Sequence, residues 1–154
     1  MALEAQFFSN SHLPEVNNAV ADFVARRIWG RSGDCFGPRC TMSVVDNGNM
    51  VAGVVYHNYY PDQGTIEVSA AADTSRWLTR RMLNAFISMP FEKLGVQAII
   101  ARHSEAATHL RRMWGRVGAV EYVIPRLRGK DQPAECISVL TDDAWAASPF
   151  SRSN

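Results

Sequence analysis

Three cysteines and four histidines are the side chains of this 154-residue sequence best suited to hold a metal or attack a carbonyl. Four residues lie between Cys35 and Cys40, Cys136 is far along the chain, and His12, His57, His103 and His109 are scattered. No Cys-x-x-Cys or His-x-x-x-His spacing accompanies them, and a structural zinc site takes four ligands at recognisable spacing. The expectation is no metal site and small, partly buried thiols; an odd count also gives no disulfide framework. A second group is the run Tyr56, His57, Asn58, Tyr59 and Tyr60. Its aromatic, hydrogen-bonding side chains either line a binding cleft or pack alternately as an ordinary strand. A third is the basic stretch with Arg126, Arg128 and Lys130, which either steers an acidic ligand or solvates a loop.

These residues need elements to position them. Pro14 opens a helix in which Leu13, Val16, Val20, Phe23, Arg27 and Ile28 recur at helical spacing, and Gly30 stops it. Residues 40–45 alternate as a strand, Asn47-Gly48 supplies a tight hairpin turn, and residues 50–60 return as its partner. Pro61-Asp62-Gln63-Gly64 turns the chain into a third strand, 65–71. Asp73 or Thr74 caps the next helix, with Leu78, Met82, Ala85, Phe86 and Met89 as its apolar stripe and Pro90 at its end. Residues 96–101 form a nearly continuous apolar run, suited to a strand covered on both faces. Ser104 caps a further helix carrying Leu110, Met113, Trp114 and Val117, and Gly118 closes it. Residues 119–124 and 134–140 read as two closing strands.

A meander followed by strand–helix–strand units predicts an α/β (α+β) mixed sheet with helices on its faces. Strand 65–71, its helix and strand 96–101 form a βαβ unit, so those two strands are expected to be parallel neighbours. The length fits one domain, taken as residues 1–147, with residues 148–154 as a polar tail. Hydrophobic residues make up 47% and charged ones 20%, the balance of a soluble globular chain rather than a disordered one. A net charge of +1 argues against a nucleic-acid binder that relies on bulk charge. No apolar run reaches the roughly 18 residues of a membrane span. Met1-Ala2-Leu3-Glu4 lacks the basic and apolar regions of a secretory signal, so a cytoplasmic protein is expected.

This order of elements, with three stretches of the second half, resembles the GNAT superfamily of acyl-coenzyme A-dependent N-acyltransferases. The stretches are residues 65–71 (Thr-Ile-Glu-Val-Ser-Ala-Ala), 73–83 (from Asp73 through Arg76, Trp77 and Arg80 to Leu83), and Ser104-Glu105-Ala106-Ala107 leading to Gly118-Ala119. The likeness covers nearly all the chain after about residue 13. The closing strand and Trp145 look most like compact phage and prophage members. The resemblance implies a central, mostly antiparallel sheet with one parallel strand pair and helices on both faces. It also implies a cleft where the parallel strands part, with acetyl-coenzyme A as co-substrate and no metal.

In that family the pantetheine arm completes the first parted strand as an extra strand would. The matching positions here are Val68, Ser69 and Ala70. The pyrophosphate rests at the N-terminus of the next helix, where free N–H groups favour an anion; Arg76, Trp77, Leu78, Thr79 and Arg80 fall there. The family's Arg/Gln-x-x-Gly-x-Gly/Ala pattern is degenerate, with no glycine in this segment, and arginines supply charge instead. Ser104 stands where an asparagine often contacts the arm. Glu67 matches the family's usual base. Trp114 replaces the usual tyrosine acid, leaving His103, His109 or Tyr122 to take that role, and Tyr56 and Tyr59 are the residues assigned to the acceptor. The activity implied is direct acyl transfer, most simply of acetyl, to an amine on a small molecule, a protein N-terminus or a lysine. The alternative is a non-catalytic phage structural or accessory protein with this fold, bound to a partner or to its own copies and associated with the virion.

Overall fold

The structure is a computed structural model and describes residues 2–152; Met1, Ser153 and Asn154, the last two part of the expected polar tail, lie outside it. Its elements are β1 (Leu3–Phe8), α1 (Pro14–Trp29), β2 (Arg39–Asp46), β3 (Asn49–Tyr60), β4 (Thr65–Ala72), α2 (Arg80–Lys93), β5 (Ala98–Ser104), α3 (Thr108–Val117), β6 (Val120–Ile124), β7 (Glu135–Thr141) and α4 (Asp142–Ala147). Short 3₁₀ turns at Gly33–Phe36, Ser75–Trp77 and Pro149–Ser151 join them. The strands form one sheet in the order β1-β2-β3-β4-β5-β7-β6. Every pairing is antiparallel except β4 with β5.

Helices cover both faces. Buried Met42, Val54, Tyr56, Ile66, Val68, Ile99 and Ala101 pack with Met82, Phe86 and Ile87 of α2 and with Trp114 and Val117 of α3. On the opposite face, Ala21, Val24 and Ala25 of α1 meet Val55 and Phe36. Alternation along each strand sorts the residues between these faces. Glu67 and Ser69 therefore look toward α1, and Ile66 and Val68 toward α2. No described helix is long and apolar enough to cross a membrane.

Several boundaries differ from the sequence expectation. β1 was not expected; Leu3 and Ala5 are packed into the core opposite Asp46 and Val44, burial that a six-residue terminal strand acquires only from its neighbour. The expected cap at Asp73 or Thr74 serves only the 3₁₀ turn, where Thr74 accepts from the Arg76 amide; Thr79 Oγ1 caps α2 itself, accepting from Met82 N at 3.2 Å. Pro90 does not end α2, which runs three residues further to Lys93. Ser104 caps a turn, accepting from Ala106 N, and α3 begins at Thr108. Among the residues expected as a tail, Pro149–Ser151 is seated on α2, where Asn84 Nδ2 donates to the Phe150 carbonyl at 2.9 Å.

Candidate active site

β4 and β5 are parallel and paired from Thr65–Ala98 to Val68–Ala101. There the pairing stops although both strands continue, β4 to Ala72 and β5 to Ser104. β4 keeps its other neighbour as far as Ala72, opposite Ala52, and β5 keeps β7 as far as Ser104, opposite Glu135. The two strands diverge because each follows its outer partner. On the α2 side of β4, Ile66 and Val68 are buried, whereas Ala70 and Ala72 are exposed. The core thus ends where the divergence begins, and small side chains line the opening. Backbone groups on the β5 side of Ser69 and Ala70 lack the ladder partner that Val68 has.

A polar cluster stands at this point on the α1 face. His57 lies directly opposite Glu67 across β3 and β4. His57 Nε2 is 2.9 Å from Ser69 Oγ and 3.8 Å from Glu67 Oε2. Asn58 Nδ2 donates to Glu67 Oε1 at 3.1 Å, and Arg102 Nε from β5 is 3.6 Å from the same oxygen. The Asn58 contact comes from local irregularity. The β3–β4 register shifts between His57 and Tyr60, and Asn58 takes a left-handed φ of 49° that asparagine tolerates. The Phe36 ring covers His57, with centroids 4.8 Å apart, and Trp29 packs on Phe36 at 5.5 Å. Burial pushes the His57 pKa below the ordinary histidine value while Glu67 draws it back up. A neutral imidazole is therefore the resting form near pH 7. The cluster offers a carboxylate held by one hydrogen bond and one ion pair and a buried imidazole beside a hydroxyl, which suits proton transfer from a polar ligand.

The residues singled out in the sequence fall into separate places. Glu67, Val68, Ser69 and Ala70 come together at the divergence. Arg76 is exposed at the turn beyond β4. Trp77 is buried instead, stacked on Phe86 at 6.2 Å, and Phe86 meets Trp114 edge-on at 5.8 Å. It belongs to the core under α2, because the 3₁₀ turn rotates it inward. Leu78 borders a small cavity of about 220 Å³ with Leu83, Met113 and Phe150. Arg80 donates to the Pro149 carbonyl and lies over the Phe150 ring, so the chain's own C-terminal turn engages it. Tyr56 does not line a cleft: it is buried on the α2 face, and its hydroxyl donates to the Phe86 carbonyl at 2.6 Å. Tyr59 is exposed and donates to the Leu94 carbonyl at 3.2 Å, near the end of α2.

His103 and Tyr122 are not brought together with Glu67. Register puts Glu67 opposite Ile100, so His103 projects from the other face of the sheet. Tyr122 shares Glu67's face but sits on edge strand β6, exposed and separated from β4 by β5 and β7. The sequence analysis missed His57, Asn58 and Arg102 as one group. His57 and Asn58 stood in the aromatic run, but nothing local linked them to a glutamate ten and nine residues on. A cavity of about 570 Å³ lies elsewhere, between the end of β1 and α2 and lined by Phe7, Phe8, Cys40, Ala85, Ser88 and Met89 among others. None of the residues assigned above to catalysis, cofactor or acceptor lines it.

No family model matches the sequence, and neither does any characterised relative. Solved structures do match the fold. The spermidine N-acetyltransferase of Vibrio cholerae, a dodecamer, superposes with a TM-score of 0.69 at 12% identity over 94% of this chain and 96% of its own. The protein yncA of Salmonella typhimurium, determined with its cofactor acetyl-coenzyme A, gives 0.66 at 14% identity over 92% and 94%. The ribosomal-protein-S5-alanine acetyltransferase of Vibrio fischeri gives 0.66 at 16% identity over 94% and 96%. The mixed seven-stranded sheet, its single parallel pair and these superpositions establish that the chain has the GNAT acetyltransferase fold.

Proposed function

We propose that this protein is an acetyl-coenzyme A-dependent N-acetyltransferase that acts on an amine by direct transfer. The observation that carries the reading is the end of β4–β5 pairing at Val68, with Ala70 exposed just beyond it. The unpaired edge of Ser69 and Ala70 suits the amides of a pantetheine arm, which add as a strand would. The exposed Arg76 guanidinium suits the diphosphate. Glu67 accepts a proton from the incoming ammonium. Asn58 and Arg102 hold that carboxylate, and His57 supports it from across the ladder. The freed amine attacks the thioester carbonyl carbon, the carbon–sulfur bond breaks, and the coenzyme leaves as a thiolate that takes up a proton. Fold neighbours named for spermidine and for a ribosomal-protein alanine support an amine acceptor as a class, and one of them is a dodecamer, which supports assembly of copies. A cytoplasmic setting, bacterial or phage-encoded, fits this reading.

A specific observation favours a second reading. Trp77 and Arg80, two residues of the phosphate-binding turn, are used by the chain's own core and C-terminal turn. A phage accessory or structural role without catalysis, in the virion and bound to a partner, would leave them free for that purpose. Isothermal titration with acetyl-coenzyme A separates the two. Saturable one-to-one heat supports the enzyme, and no heat at millimolar cofactor overturns it.

A further inference from the structure

The mechanism above leaves His103 unused, and its surroundings have a chemistry of their own. It is 6% exposed, and its Nε2 is buried without a hydrogen-bond partner. Such a buried nitrogen costs stability unless something satisfies it. Across the β5–β7 ladder His103 is directly opposite Cys136, which is fully buried and free. Glu121, on β6, faces the same side of the sheet through its pairing with Ser138, two residues along from Cys136. One donor atom from each of His103, Glu121 and Cys136 lies within 4.8 Å of the other two. A nitrogen, a sulfur and an oxygen thus converge from three adjacent strands of one sheet.

We propose that His103, Glu121 and Cys136 form a binding site for a zinc-class divalent cation, an inference that does not rest on the proposed acyl transfer. Imidazole, thiolate and carboxylate together are the donor set of a borderline-soft ion rather than of magnesium or calcium. Bonds of about 2.0–2.3 Å place tetrahedral donors about 3.5 Å apart, so the three must draw in by about 1 Å. Glu121 supplies that movement. It is exposed on an edge strand, which also gives the ion its path in, while His103 and Cys136 stay within the sheet. The Cys136 thiol, hydrogen-bonded to the Glu121 carboxylate, gives up its proton to solvent as the ion binds, the two anionic ligands then neutralise the dication, and the fourth position stays open to water.

The positive charges nearby set the limits. Arg111 of α3 holds Glu121 with its Nε 2.5 Å from Oε1, and its other contact with the carboxylate is looser, 3.5 Å to Oε2. Oε2 is thus the oxygen that Arg111 holds more loosely. Arg111 also donates to the Glu105 carbonyl at 3.1 Å, and Arg128 is paired with Glu135 at 2.8 Å. Both guanidiniums are already committed to a carboxylate.

The test uses the full-length chain carrying Cys35→Ser and Cys40→Ser, in which Cys136 is the last thiol. Cobalt(II) is the probe, because a thiolate ligand gives a near-ultraviolet charge-transfer band and a tetrahedral site gives intense visible bands. One equivalent of cobalt is expected to produce both, and zinc is expected to bleach them. His103→Ala should abolish the tetrahedral spectrum, and Glu121→Gln should weaken cobalt binding by at least about tenfold. A parent protein with no thiolate band at stoichiometric cobalt overturns the proposal without need of any further variant. So does a band that persists unchanged in His103→Ala.

Discussion

At the scale of single residues the carboxylate of Glu67 is the one the proposed chemistry cannot spare. Glu67→Gln keeps the size and the Asn58 contact but removes the proton acceptor. Turnover is expected to fall by about 10²–10⁴-fold, while acetyl-coenzyme A still binds in a titration; loss of both together would mean the residue is structural. His57 provides a second handle, through pH. Burial holds its imidazole below the usual value of 6.5, so the unfolded chain takes up this proton first as the pH falls. His57 therefore favours the folded state fully above 6.5, and that contribution is lost as the pH drops through its folded value. Chemical denaturation between about pH 7.5 and about pH 5 should show a shallower loss of stability in His57→Gln than in the parent. His103 is shifted in the same direction, also by burial, so part of the slope will remain in that variant.

At the scale of elements, the site depends on how closely the Gly33–Phe36 turn sits on α1. A Cβ at Gly33 would come within 2.6 Å of Ala21 Cβ and 2.8 Å of backbone atoms of Ala21 and Asp22. The Gly33 amide donates to Asp22 Oδ1 at 2.6 Å, which pins the turn in place. Gly33→Ala is expected to cost about 1–3 kcal/mol in a denaturant titration. It should also lower turnover, because Phe36 is carried away from His57. Elements were the most legible level of the sequence. Asn47-Gly48 placed the β2–β3 hairpin, and the βαβ order required the parallel pair that is observed. Where the reading failed, the deciding contact was distant. Pro90 fits inside α2 because Phe86 and Ile87 before it are buried and the partly buried Phe91 after it packs against the same core, and β1 becomes a strand only against β2.

At the scale of the whole molecule, the divergence of β4 and β5 is a contest between neighbours, each strand keeping its outer ladder. Filling the opening tests whether it is the cofactor's place. Ala70→Phe puts a ring into solvent-exposed space beyond the core, so the fold should keep its own thermal midpoint. In the parent, acetyl-coenzyme A at about a hundred times its dissociation constant should add about 2.7 kcal/mol of stability and raise the midpoint. In Ala70→Phe that rise should vanish; a rise equal to the parent's would show that the cofactor binds elsewhere.

Periodicity and turn chemistry are local, carried by residues within a few positions of one another, and they determined from the sequence alone that α1, α2 and α3 exist, though not where α2 and α3 begin, together with the hairpin and the parallel strand pair; α4 was not expected. They also marked Glu67, Ser69 and Ala70 as neighbours on one strand. The grouping of Glu67 with His57, Asn58 and Arg102 was decided by tertiary structure, and so was the separation of His103 and Tyr122 from it. Which face a side chain occupies depends on register with another strand, and register is settled only when the two faces of the sheet compete for burial against α1 and α2.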